Sequence, residues 1–370
     1  MKLTDNAIKI FIVMGTRPEI IKNAPVIRQL KKEQLNFEVI FTDQHYDYNL
    51  SKKFFEELQL DDPKFHLNIG KGTQGEQTAK AIIGIERILI EESPDVVLVQ
   101  GDTNSSLAGA LAAVKLHIKI GHIEAGLRSY DYRMPEEHNR RMIDHISNYL
   151  FAPTENSVKI LEKENVWGRI FNTGNTVIDA CIQHYEIARK KSKIMDQIPF
   201  KKFVLLTAHR AENVDNPQVL SSLVNAFLKI PYHIIFPIHP RTQNRLKQFN
   251  LYEKLEKSEN ILLIPPVGYL DLLMLMKNCE FIITDSGGIQ EEATAPVIRK
   301  FTFVIRKTSD RPESCEVGFS KIVGTDTNTI LNEINKFIEK PAQMPSKSPF
   351  GDGKASERII SILKAELNIR

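Results

Sequence analysis

At 370 residues the chain is too long for one compact core, and a prior of roughly 150 residues per domain predicts two domains. With 42% hydrophobic and 26% charged residues it is an ordinary globular protein, and a formal net charge of +3 implies no nucleic-acid and no membrane partner. Three widely spaced cysteines, Cys181, Cys279 and Cys315, suit reduced thiols in the cytoplasm better than a disulfide framework or a zinc site.

Along the chain, short continuous apolar runs predict strands: IKIFIVM, FEVIFT, DVVLVQ and IKIGHI in the first half, then FVLLT, YHIIFPI, ILLIP and EFIIT in the second. The first of these ends at Gly15 and is too short for a secretory signal, so it reads as a strand. No run approaches the ~20 apolar residues that cross a bilayer. Runs apolar on both faces fit parallel sheets covered by helices. Between them lie helix-period segments such as EIIKNAPVIRQLKK, GEQTAKAIIGIERILIEE and SSLAGALAAVKLH. Alternating strands and helices predict an α/β protein with right-handed crossovers and doubly wound sheets. The alternation pauses at the long charged helix expected in TVIDACIQHYEIARKKSKIM, where we place the domain boundary. The expected domains are residues 1–174 with a returning C-terminal helix, 355–370, and residues 175–354.

In a doubly wound sheet, ligands bind beyond the carboxyl ends of the strands, so the polar residues there carry the functional signal. GTRPEIIK follows the first strand and places Arg17 and Lys22 beside a new helix, a candidate anion site. DVVLVQ and IKIGHI are joined by one helix, so they run parallel and bring Asp102 and Glu124 to one edge. Asp102 could instead cap the helix it precedes. Glu124 is harder to explain structurally, because a charge at a buried strand end needs a partner, with Arg128, Arg140 and Arg141 as candidates, or a function. Glu136 and Glu137 open a helix at Pro135, where acids also suit the helix dipole.

In the second half, FVLLT leads to His209, HIIFPI to His239, and EFIIT to the Asp285-Ser286-Gly287-Gly288 turn, which has the form of a phosphate cradle. RKTSDRPES adds Arg306, Lys307 and Arg311. GKGTQG at 70–75 satisfies G-x-G-x-x-G but follows only a weak strand signal, and no metal-ligand spacing or P-loop occurs. Neither a metal nor a hydride-carrying cofactor is expected.

Acids in one half and phosphate donors in the other suit a sugar nucleotide. GTRPEIIK, QGDT, GHIEAGLR, PEEHNRR, GNTVIDA, TDSGGIQEEA, SDRPE and FGDGKAS, in that order, resemble the non-hydrolysing UDP-N-acetylglucosamine 2-epimerases. The resemblance spans Gly15 to Ser356. It implies a GT-B architecture with the active site in the cleft between two Rossmann-like domains, a cytoplasmic homodimer, and interconversion of UDP-GlcNAc and UDP-ManNAc without a cofactor. It further implies catalytic roles for Asp102, Glu124, Glu136 and His209, and diphosphate-side cations in Arg17 and Lys22. His239, Ser286, Gly287, Gly288 and Arg311 match phosphate contacts, Glu292 the ribose acid, and the loop from Val267 to Leu272 the uracil site. Leu272 stands where relatives often carry an aromatic. TAPVIRKFTFVIRK departs from the family pattern through Arg299 and Lys300, and DQHYDYN, residues 43–49, departs at the segment associated with allosteric activation. Rival readings are a hydrolysing epimerase, an epimerase of a UDP-diacetamido sugar, a GT-B glycosyltransferase and a non-catalytic nucleotide-sugar sensor.

Overall fold

A computed structural model describes residues 8–43, 48–70 and 72–369. The chain divides into two compact units, Met1–Ala180 with Gly351–Arg370, and Cys181–Phe350.

The first unit holds a parallel sheet of seven strands among the described residues: β1 (Lys9–Met14), β2 (Asn36–Phe41), β3 (Phe65–His66), β4 (Val96–Gln100), β5 (Lys119–Ile123), β6 (Tyr149–Ala152) and β7 (Arg169–Asn172). Their order is β3-β2-β1-β4-β5-β6-β7. The crossovers carry α1 (Arg17–Lys32), α2 (Tyr48–Glu57), α3 (Gln74–Glu92), α4 (Asn104–Lys115), α5 (Pro135–Ile146) and α6 (Glu155–Lys163), and α7 (Thr176–Lys191) follows β7. β1 and β4 are buried almost throughout, as runs apolar on both faces require. Helix starts follow the sequence closely. Thr16 and Glu19 form a capping box at α1, and Thr73 and Glu76 form another at α3, so GKGTQG is a helix entry. Thr103, not Asp102, caps α4 by accepting from the Ser106 amide.

The second unit repeats the design with β8 (Phe203–Thr207), β9 (His233–Pro237), β10 (Ile261–Ile264), β11 (Ile282–Thr284), β12 (Thr302–Val304) and β13 (Ser320–Ile322), all parallel, in the order β10-β9-β8-β11-β12-β13. Its helices are α8 (Ala211–Val214), α9 (Pro217–Phe227), α10 (Pro240–Gln248), α11 (Tyr252–Glu256), α12 (Tyr269–Asn278), α13 (Gly287–Glu292), α14 (Pro312–Glu316) and α15 (Thr327–Glu339). A cluster of Phe281, Phe301, Phe303 and Phe337, with ring centroids 4.6–5.6 Å apart, packs α15 onto the sheet. Strands β6, β7, β12 and β13 are only three or four residues long.

In both sheets the strand order reverses at one point, between β1 and β4 in the first and between β8 and β11 in the second. Loops on either side of such a point splay apart and leave a crevice at the carboxyl edge.

The last helix, α16 (Ala355–Glu366), belongs to the first unit, where Lys364 pairs with Glu33 of the α1 C-terminus at 2.7 Å. Asp179 fastens its start by accepting from the amides of Ala355 (3.1 Å) and Ser356 (2.8 Å) and from the Ser356 hydroxyl (2.6 Å). Burial pushes the Asp179 carboxyl above its ordinary pKa, although these donors favour the anion. Asp179→Ala would leave all three donors without this acceptor. It should lower unfolding stability by about 1–3 kcal/mol in urea titration, whereas a wild-type midpoint and slope would show that α16 is held by its apolar face alone.

Candidate functional site

In the first unit the carboxyl edge around β1, β4 and β5 is organised by two buried acids. Glu19 sits in the α1 capping box. It accepts from the Gly15 and Thr16 amides (3.0 and 2.8 Å) and from the hydroxyls of Thr16 (2.8 Å), Thr103 (2.7 Å) and Ser106 (2.8 Å). It thereby ties the loop after β1 to the loop after β4. Burial raises its pKa against those donors.

Glu124 follows β5 with φ at +72°, a left-handed conformation that costs a non-glycine residue of order 1 kcal/mol or more. It is 5% exposed. The Lys22 ammonium donates to both its oxygens, at 2.8 and 2.7 Å, the Gln100 amide donates to Oε2, and the Asn175 amide approaches Oε1 at 3.4 Å. The partner is thus Lys22 and none of the three arginines considered from sequence. Lys22 and Arg17 also part company, since Arg17 is exposed and lies over the Phe54 ring at 5.5 Å. Two residues on, Gly126 has φ of +82°, and a Cβ there would meet the Ser157 carbonyl at 2.5 Å. The turn therefore requires glycine.

Asp102 leaves β4, the strand paired with β5, and forms an ion pair with Arg140 of α5. Its side chain is 29% exposed, so it can meet a ligand. The Asn139 amide holds its carbonyl at 3.0 Å. The acids at the start of α5 separate by exposure. Glu136 faces solvent. Glu137 is fully buried, accepting from the Ser129 amide (2.8 Å) and hydroxyl (3.0 Å) and pairing with Arg140 and Arg141.

The second unit centres on Asp285, which is completely buried after β11. It accepts from the amides of His209 and Arg210, both at 2.9 Å, and from the Asn213 side chain at 3.1 Å, and it lies 3.4 Å from His209 Nδ1. The β8 and β11 loops are locked together at the switch point in this way. The His239 ring is 5.7 Å from that of His209, and its Nδ1 accepts from the Arg241 amide. Burial holds His209 below the ordinary imidazole pKa. Asp285 pulls it upward, while Arg210, His239 and Arg241 add to the depression. Its neutral form therefore persists to lower pH than in a free histidine.

Ser286 caps α13, and Gly287 and Gly288 form its first turn. A Cβ at Gly288 would come no nearer than 3.9 Å to any neighbouring atom, so this backbone is open to close approach. Arg311 runs beside Gly287 and pairs with buried Glu291 at 2.6 Å. Arg306 pairs with Glu212 and Asp310. Glu292 is buried at the end of α13 near Tyr269 and Cys181, both of which have raised pKa values, through burial first and then its charge. Val267 and Leu272 flank the start of α12, both half-buried, with the Leu272 amide bonded to the Gly268 carbonyl at 3.0 Å. Residues 44–47 of DQHYDYN lie outside the described residues. Arg299, from the atypical segment, has φ of +49° and donates to the carbonyls of Met344 and Pro345. Among the described residues no three His, Cys, Asp or Glu side chains are placed to hold a metal ion.

Sequence reasoning overlooked Glu19, Gln100, Asn175 and the buried pair of His122 and Asp144. Only Glu19 had a local signal, the Thr-x-x-Glu spacing of a capping box. Two measurements check this account. Lys22→Met strands a buried carboxylate and should cost about 3–5 kcal/mol of stability, much of which Lys22→Met/Glu124→Gln should restore. Equal losses in both variants would mean that the pair is not coupled. The His209 ring should titrate in NMR with a midpoint below about 6.5. Folding disfavours its charged form, so this group lowers stability as pH falls below that value and is silent above it. A midpoint above 6.5 would mean that Asp285 dominates its surroundings.

Comparison with known proteins agrees with this geometry. Residues 28–364 match the family model described as UDP-N-acetylglucosamine 2-epimerase. A relative from Methanocaldococcus jannaschii with that same name is 49% identical over 364 residues, covering 96% of this chain and 98% of its own. The crystal structure of the M. jannaschii UDP-GlcNAc 2-epimerase in complex with UDP-GlcNAc and UDP superposes with a TM-score of 0.86 at 48% identity, over 97% of this chain and all of that one. A Pseudomonas aeruginosa UDP-2,3-diacetamido-2,3-dideoxy-D-glucuronate 2-epimerase is 37% identical, covering 96% of this chain and 99% of its own. With its two doubly wound α/β units and these motifs, the chain belongs to the UDP-N-acetylglucosamine 2-epimerase family.

Proposed function

We propose that the protein reversibly epimerises UDP-N-acetylglucosamine to UDP-N-acetylmannosamine at C2, by elimination of UDP and its re-addition. The observation that carries this reading is the division of chemistry between the units. In the first, Asp102 and Glu124 follow the neighbouring parallel strands β4 and β5, beside the switch point. In the second, His209, His239 and the Ser286-Gly287-Gly288 turn surround the equivalent edge.

The C2 proton has no adjacent carbonyl, so its direct removal as a carbanion would be prohibitive. Anti elimination avoids that species. As the C2 proton passes to a carboxylate, the C1–O pair departs with the β-phosphate of UDP and a C1=C2 double bond forms, giving a 2-acetamidoglucal. Re-addition reverses these events with the proton delivered to the opposite face. Departure of UDP calls for cations and amides on its phosphates, for which Arg311, His239 and the α13 amides are suited. Neutral His209 is suited to hydrogen-bond the leaving group as negative charge develops on it. Proton traffic on two faces of the sugar calls for more than one acid–base group. Asp102 and Glu136 are the accessible carboxylates, while Glu124 is a charge held in place by Lys22 and Gln100. Glu292 serves as the ribose acid, and the stretch from Val267 to Leu272 receives uracil. This chemistry needs no NAD and no metal.

The same family reading makes the enzyme non-hydrolysing, a homodimer and cytoplasmic. Among the described residues no helix is long and apolar enough to cross a membrane, and Cys181 and Cys279 are buried free thiols. Sedimentation should give twice the mass of the chain.

Incubation with UDP-GlcNAc in deuterated water, followed by NMR, tests the proposal. UDP-ManNAc carrying deuterium at C2, without net release of UDP, is the expected result. Free ManNAc with UDP would indicate hydrolysis, and an unchanged spectrum would leave a transferase or a sensor. Turnover of a UDP-diacetamido uronate in place of UDP-GlcNAc would move the substrate toward that of the P. aeruginosa relative. Asp102→Asn, Glu124→Gln and Glu136→Gln should each lower turnover by ~100-fold or more. A near-normal rate in any of them removes that residue from the mechanism.

A further inference from the structure

The acids just described sit on turns with left-handed backbone. Gly101, immediately before Asp102, has φ of +71°, and Glu124 and Gly126 have φ of +72° and +82°. A single buried pair reaches both turns. His122, in β5 and fully buried, presents Nε2 to the Gly101 carbonyl at 2.8 Å and Nδ1 to Asp144 Oδ1 at 2.7 Å. The other oxygen of Asp144 accepts from the Gly126 amide at 3.2 Å and from the Arg128 guanidinium at 2.7 Å. Asp144 is 0% exposed. His122 and Arg128 hold its carboxyl below the ordinary range even though burial alone would raise it.

Asp144 lies on α5, the helix that also carries Arg140 and Glu137. These three residues, spaced four and three apart, form one charged stripe facing the β4 and β5 loops. Arg140 holds Asp102, Glu137 holds Ser129, and Asp144 holds His122 and Gly126. Glu136 stands on the first turn of the same helix. A buried stripe of charge costs desolvation that an apolar stripe would not.

We propose that His122 and Asp144 are positioning residues, which fix the Asp102 turn and the Glu124 turn relative to each other and to α5, and so set the spacing of these two carboxylates at the reacting sugar. This inference rests on the epimerase reading, but its geometric part can be tested separately. Both side chains are fully buried, out of reach of a ligand at the edge of the sheet. Their effect should therefore fall on the chemical step and spare binding.

The test compares His122→Asn, Asp144→Asn and the double variant with the wild type, each confirmed as folded by circular dichroism. Each single change should lower kcat by about 100-fold, the scale of a small misplacement of reacting groups, with KM for UDP-GlcNAc little altered. The double variant should lose hardly more than either single one, because the two act as a unit. Independently of turnover, the ¹³C-carboxyl resonances of Asp102 and Glu124, assigned through Asp102→Asn and Glu124→Gln, should shift in His122→Asn and Asp144→Asn. If the carboxyl resonances stay in place, or folded variants retain wild-type kcat and lose only thermal stability, the positioning role is overturned. If wild type incorporates no deuterium at C2, the epimerase reading fails, and the resonance shifts still decide whether the pair holds the two turns. Should both singles fail to fold, His122→Gln, which keeps one donor, serves the same comparison.

Discussion

The interaction on which the first unit depends is the contact of the Lys22 ammonium with the Glu124 carboxylate. Glu124 is buried, negatively charged and in a left-handed backbone conformation, three features that each cost free energy. Lys22 reaches it from α1, so the loop after β1 is obliged to stay close to the end of β5. Glu19 makes the same demand from the other side by binding the loops after β1 and β4 into one hydrogen-bonded cluster. With these two acids in place, the loops after β1, β4 and β5 are tied together by hydrogen bonds and an ion pair. Such preorganisation is what an acid–base site needs, because the groups then pay no reorganisation cost at the moment of proton transfer.

The second unit solves a different problem with the same topology. Its buried acid, Asp285, gathers backbone amides and a histidine instead of a lysine, and the neighbouring α13 start offers unblocked amides to an anion. Two sheets of matching strand order thus place different chemistries at equivalent edges, carboxylates in one and a histidine pair with the open start of α13 in the other. That contrast is the basis of the proposed substrate, which has a reacting sugar at one end and a diphosphate at the other. It also agrees with relatives of 49% and 37% identity whose names differ in the sugar but share epimerisation at C2 of a UDP-linked substrate.

Much of this was legible in the sequence, for reasons that can be stated. Runs such as IKIFIVM and DVVLVQ are apolar on both faces, so they could only be buried parallel strands, and the residues following them had to lie at one edge. That logic alone brought Asp102 beside Glu124, and His209 beside His239 and Asp285. It did not find β6, β7 or β13, and in RIFN and SKI polar residues interrupt the short apolar run. The partner of Glu124 was also out of reach. Sequence proximity suggested an arginine from the following segment, whereas Lys22 lies 102 positions away and meets it only through the β1–β4–β5 order. The pair of His122 and Asp144 was invisible for a related reason. A histidine in an apolar strand usually makes ordinary structural contacts, and its connection to the Gly101 and Gly126 turns appears only in three dimensions.

The central claim is that the acids of the first unit and the phosphate-binding groups of the second serve one elimination and re-addition of UDP. Positional isotope exchange tests it most directly. UDP-GlcNAc labelled with ¹⁸O in the oxygen bridging C1 and the β-phosphate is incubated with the enzyme, and the ³¹P and ¹³C isotope shifts are followed. The account predicts that label moves from the bridge into the non-bridging β-phosphate oxygens while deuterium from solvent enters C2. Epimerisation with the label still in the bridge would mean that the C1–O bond never breaks, and would contradict the account.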